Sequence, residues 1–109
     1  MKHKIGEIIR IKEDFEIKTA MGENTIQVKK DDTGFIDSKG MIHYLTGEAR
    51  NKIQKIDNIE VRGYDYESIT KLIFKRLNIE YNICEMLENE GVEGHEFRDT
   101  IEDVLTDIF

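Results

Sequence analysis

These 109 residues contain no proline and a single cysteine, Cys84. Without proline or a Ser/Gly tract, no segment reads as a stiff or flexible spacer. One cysteine cannot staple the fold internally, so an apolar core has to hold it, and a cytoplasmic location is the simplest expectation. No run of eighteen apolar residues occurs, which excludes a transmembrane helix. The opening Met-Lys-His-Lys-Ile-Gly-Glu lacks the apolar stretch of a signal peptide.

Chemistry-bearing residues are equally scarce. Only three histidines occur, His3, His43 and His95. His43 alternates with the apolar Ile42 and Tyr44, which places it at the surface. His95 and Asp99 have the i, i+4 spacing that can put two ligands on one helix face, but two further ligands are not signalled and no metal is expected. Cys84 has no histidine near it in sequence and reads as a buried helix thiol, not a nucleophile. Asp31-Asp32 misses the ligand spacing of a calcium loop. Residues 46–50, Thr-Gly-Glu-Ala-Arg, lack the glycines and the Lys-Ser/Thr pair of a phosphate loop. The expectation is therefore a protein that is not an enzyme, with no catalytic residue, cofactor or metal.

Acidic charge is plentiful and uneven. Hydrophobic residues make up 39% and charged residues 36%, so a core is possible but not thick. The formal net charge of −7 is divided: residues 1–56 carry eleven Lys/Arg and nine Asp/Glu, whereas residues 57–109 carry five and fourteen. From Glu80 onward there are ten acids and one base, Arg98. Such asymmetry indicates two regions with different electrostatic roles. The plainer alternative is that the acidic half only keeps a small protein in solution.

The first region reads as strands. Residues 4–11 and 14–17 are short apolar runs, separated from the next by a loop at Ala20-Met21-Gly22-Glu23-Asn24. Residues 25–45, TIQVKKDDTGFIDSKGMIHYL, alternate with period two around two turn signals, the pattern of an antiparallel meander with one buried face. Asp37-Ser38-Lys39-Gly40 suits a type I turn. A last run, residues 53–61, sets Ile59 and Val61 on one face. Five or six short strands with glycine turns predict a small antiparallel barrel over residues 1–63.

The period then changes. Asp65 is a helix cap with Ser68 three residues on, and Tyr66, Ile69, Ile73 and Leu77 recur at helical spacing. A second helix is expected over residues 81–90, with Ile83, Cys84, Met86 and Leu87 inward or marginal and Gly91 and Gly94 in a link after it. Phe97, Ile101, Val104, Leu105 and Ile108 follow an amphipathic repeat. The fold class expected is thus α+β, with two or three C-terminal helices over residues 64–109 packed on the barrel.

Lys4-Ile5-Gly6-Glu7-Ile8-Ile9-Arg10-Ile11, followed by Val28-Lys29-Lys30-Asp31-Asp32-Thr33-Gly34-Phe35-Ile36, resembles the opening of SH3-like barrels over about the first 60 residues. The Lys/Ile/Glu/Asn-rich whole is similar in style to small phage and mobile-element proteins of low-GC bacteria. SH3-like folds host peptide binding, nucleic-acid binding and scaffolding, so the resemblance implies a fold and carries no residue role.

Two functions follow. In the first, the outer face of the last helix, Glu96, Asp99, Glu102, Asp103 and Asp107, binds a protein partner with a basic surface, such as one that otherwise holds nucleic acid, and inhibits it as a decoy. In the second, Lys29, Lys30, Lys39, Arg50, Lys52 and Lys55, with Phe35 and Tyr44, form a basic strip on the barrel of a nucleic-acid-associated factor. The −9 half disfavours direct nucleic-acid binding. A homodimer through the apolar stripe of the last helix is compatible with both, and no membrane contact is expected.

Overall fold

The computed structural model describes residues 2–18 and 24–109; of the loop expected at Ala20-Met21-Gly22-Glu23-Asn24, all but Asn24 lies outside the described residues. The chain is α+β and divides into two compact units, Met1–Gly63 and Tyr64–Phe109. The first holds eight short strands: β1 Lys2–Ile5, β2 Ile8–Arg10, β3 Phe15–Lys18, β4 Thr25–Val28, β5 Thr33–Ile36, β6 Met41–Tyr44, β7 Ile53–Lys55 and β8 Glu60–Tyr64. They form a four-stranded antiparallel sheet in the order β2-β5-β6-β7 and two two-stranded sheets, β1-β8 and β3-β4. Among the described residues these sheets do not close into a barrel.

Eight strands replace the expected five or six because two apolar runs break. The run over residues 4–11 is cut at Gly6, whose φ of 84° lies where only glycine sits without strain. The run over residues 53–61 is cut at Asp57-Asn58, with Asn58 at φ 57°. Asparagine tolerates that region better than β-branched residues do. The Gly6 amide donates to the Ile36 carbonyl at 2.7 Å, and Ile36 N–H donates to Glu7 O at 3.0 Å. These two bonds keep the chain on either side of the break tied to β5.

Period-two alternation does place the core. Ile36, Ile42 and Tyr44 are buried with Val28 and Ala49, and Ile9, Ile11, Ile17, Ile26, Ile56, Ile59 and Val61 pack partly buried around them. Gly34 pairs with Tyr44 across the ladder. A Cβ at Gly34 would stand 2.8 Å from Ile42 Cγ1 and 2.9 Å from the His43 carbonyl oxygen, so no larger residue fits without movement. The Asp37–Gly40 turn forms as the sequence predicts: Gly40 N–H donates to Asp37 O at 3.1 Å, and Asp37 Oδ1 accepts from Lys39 N–H and Met41 N–H at 2.9 Å each.

The second unit holds α1 Tyr66–Tyr81, α2 Ile83–Asn89 and α3 Gly94–Ile108. Asp65 caps α1 by accepting from Ser68 N–H at 3.1 Å. Helix α1 runs through Tyr81, where the sequence places the start of the second helix. Asn82, at φ 52° and ψ 50°, ends α1 and starts α2. Gly91 follows α2 at φ 73°, while Gly94 opens α3 and is not part of a link. Two inward placements do not hold. Cys84 is exposed and Met86 is more than half exposed, because the short α2 turns one narrow face inward and the i, i+4 pair Ile83 and Leu87 occupies it. No helix of the described residues is long and apolar enough to cross a membrane.

Candidate functional site

Helix α3 carries all five carboxylates of the acidic face. Its own sequence makes the helix an unfavourable one for charge. Asp99–Asp103 and Asp103–Asp107 are like-charged i, i+4 pairs, each costing a few tenths of a kcal/mol. No basic residue stands in its last turn, and Asp107 opposes the negative end of the helix dipole. None of the five is in an ion pair among the described residues.

The structure divides the five. At about 100° per residue, Glu96, Asp103 and Asp107 fall within about 40° of one another on the outer side of α3. All three are exposed. Asp99 and the half-buried Glu102 lie on one flank, where they share a cleft of about 230 Å³ with Arg98 and with Glu67, Thr70 and Lys71 of α1. Lys71 Nζ is already 3.2 Å from Glu67 Oε1, and the Arg98 guanidinium lies over the Phe74 ring at 5.5 Å. The cleft sets two cations against three carboxylates, so Asp99 and Glu102 have basic side chains in the same cleft without being ion-paired. Glu96, Asp103 and Asp107 do not line it and are exposed.

The other flank of α3 carries part of the apolar repeat read from the sequence. Roughly 100° round from the acidic trio, on the side away from the cleft, stand Val104 and Ile108. They are 50% and 67% exposed. Phe97, Ile101 and Leu105 are half-buried, and the Phe97 ring lies 6.0 Å from that of Phe74. The apolar stripe is thus partly covered at Phe97, Ile101 and Leu105 and left exposed at Val104 and Ile108. The signal was present in the sequence, since five apolar positions exceed what one neighbouring helix can cover.

His95 pairs differently from the sequence expectation. Its Nδ1 is 3.2 Å from Glu93 Oε2, and Glu93, His95 and Glu96 can bring one ligand atom each within 4.8 Å of one another. Asp99 is not in that group. Three exposed groups are one short of a tetrahedral set.

The basic strip of the alternative reading is also redistributed. The ladder runs Gly34↔Tyr44 to Ile36↔Ile42, with Met41 opposite Lys55 and His43 opposite Ile53. Lys29, Lys30, Arg50 and Lys52 therefore sit toward one end of the four-stranded sheet, and Lys39 and Lys55 toward the other, about 10 Å away along the strands. All six are exposed. Tyr44 is only 2% exposed and its hydroxyl donates to Gln54 Oε1, so it cannot stack on a base; burial raises its pKa. Phe35 is occupied by His43, whose ring stacks on it at 4.5 Å. His43 is half-buried, not a free surface residue. Its Nε2 is 2.8 Å from Asp37 Oδ2. Burial pushes the Asp37 carboxyl up, but the hydrogen bonds from His43, Met41 N–H and Lys39 N–H outweigh it and hold the pKa below its ordinary value.

Comparison with known proteins finds no family model, no curated relative and no solved structure that matches the chain.

Proposed function

We propose that this chain is a small, non-enzymatic interaction protein whose terminal helix engages a basic surface on a protein partner. A surface that otherwise holds nucleic acid fits best, which makes the chain an inhibitor of the kind carried by phages and mobile elements. The observation that supports this reading is the exposed trio Glu96, Asp103 and Asp107 on α3, none of them ion-paired among the described residues, with Asp103 and Asp107 a like-charged i, i+4 pair that weakens the helix. The antiparallel meander and the Lys4–Ile11 motif are what support reading the strand unit as SH3-like. In this reading that unit acts as a scaffold in the cytoplasm.

The test is capture from lysate of the source organism at rising salt. Partner capture by the wild-type chain should fall as ionic strength rises, because exposed charges are screened over about 8–10 Å. Glu96→Gln with Asp103→Asn and Asp107→Asn should abolish it, whereas Asp99→Asn with Glu102→Gln should have the smaller effect. Unchanged capture by the first variant, equally insensitive to salt, would leave the acidic face a solvated surface only.

The nucleic-acid-associated alternative rests on the four cations at one end of the sheet, Lys29, Lys30, Arg50 and Lys52. It requires phosphate contacts without aromatic stacking from Tyr44.

A further inference from the structure

The helical unit is acidic, and it is also short of apolar cover. Thr70 is the one buried residue of α1, and neither α2 nor α3 has any. The exposed apolar side chains are not scattered on α3. Val104 and Ile108 are one turn apart on one face, so their side chains are neighbours. Thr100 and then the trio Glu96, Asp103 and Asp107 follow them round the helix. A carboxylate row of about three turns is therefore flanked, over its last turn, by two exposed apolar side chains.

A surface that covers both has to set a row of cations along the carboxylates and an apolar patch at one end of it, on Val104 and Ile108. The geometry points to a basic amphipathic helix of the partner, laid along α3 with its apolar residues on Val104 and Ile108 and its Lys/Arg row on Glu96, Asp103 and Asp107. Charge decides this occupant against a second copy of the chain. Residues 64–109 carry twelve acids and four bases, and two copies meeting through this face would set carboxylate against carboxylate. A helix is also the element whose row spacing matches another helix, with interaxial separation of about 8–10 Å. The inference rests on the proposed role of the acidic face and adds the form of what it binds.

The probe is a Leu/Lys peptide of about 18 residues, five helical turns, with leucines at i, i+3, i+4 and i+7. Its control is the same composition shuffled so that no apolar face forms. Binding of both to the full chain is followed by fluorescence anisotropy in about 0.1 M salt. The ordered peptide should bind about tenfold or more tighter than the shuffled one. Val104→Ser with Ile108→Ser should remove that difference and leave the weaker, salt-sensitive binding. Ile108→Lys, which keeps a good helix former and puts a cation in the apolar patch, should lose the ordered peptide too. Glu96→Gln with Asp103→Asn and Asp107→Asn should weaken both peptides.

Equal binding of the two peptides, or no effect of the Val104 and Ile108 substitutions, overturns the inference while leaving the acidic face as a site. Full retention of the ordered peptide by the carboxylate variant overturns both. A concentration-dependent dimer in sedimentation velocity that Ile108→Ser dissolves also overturns the inference, since a second copy then covers the patch.

Discussion

The ring of Phe97 lies 6.0 Å from that of Phe74, tilted by 59°, and is the one aromatic pair that joins α1 to α3. Arg98 covers the same Phe74 ring from its guanidinium side. With no buried apolar side chain in either helix, this contact holds a larger share of the helical unit than a single pair does in a thick core. Gly94, which opens α3, meets the Phe74 ring tip at 3.5 Å if given a Cβ, so the start of the helix is seated on the same ring.

Phe97→Ala is therefore expected to destabilise the helical unit by about 2 kcal/mol, below the 3–5 of a fully buried phenylalanine. Urea unfolding followed by helical circular dichroism measures this. A midpoint equal to wild type would show that the helices are held by other contacts.

Gly34→Ala should destabilise the strand unit by about 1–3 kcal/mol, since the added methyl lands on Ile42 Cγ1 and on the rigid His43 carbonyl. Backbone angle is not the cause here, because Gly34 is not at positive φ. Recovery of stability in the double variant with Ile42→Val would assign the clash to the side chain; no recovery would assign it to the carbonyl.

Asp37 sets an acid limit. Its folded pKa is lowered, so the stability it contributes is present above the unfolded carboxylate value of about 3.9 and is lost as pH falls through the folded value. Asp37→Asn should cost about 1 kcal/mol at pH 7, through the weakened bonds to His43 and the two turn amides. That difference should shrink on acidification below about pH 4. A gap between wild type and variant that is constant from pH 7 to pH 3 would exclude this role.

The strand unit contains its own buried cluster, Val28, Ile36, Ile42, Tyr44 and Ala49. Residues 1–63 alone should accordingly give a β-type circular dichroism spectrum with a cooperative melt. An unfolded spectrum would mean that the helices supply an essential part of that core.

Much of the layout was legible because it depends on spacing alone. Alternation at Ile42 and Tyr44 can only bury one sheet face, Asp65 with Ser68 can only begin a helix, and the repeat from Phe97 to Ile108 can only form one. The count of strands was not, because a break at Gly6 or at Asn58 needs a local φ that an apolar run conceals. Burial at the margins was not legible either. Cys84 and Met86 suit an inner face by type, but α2 is a separate seven-residue helix begun at the left-handed Asn82, and it leaves both exposed. The five carboxylates of α3 could be named from sequence, and periodicity alone put them on one helix. Only the packing of α1 against α3 separated Asp99 and Glu102, which share a cleft with Lys71 and Arg98, from Glu96, Asp103 and Asp107, which have no ion-pair partner among the described residues. A sequence specifies which residues share a face; which neighbour reaches that face depends on where the next helix lies.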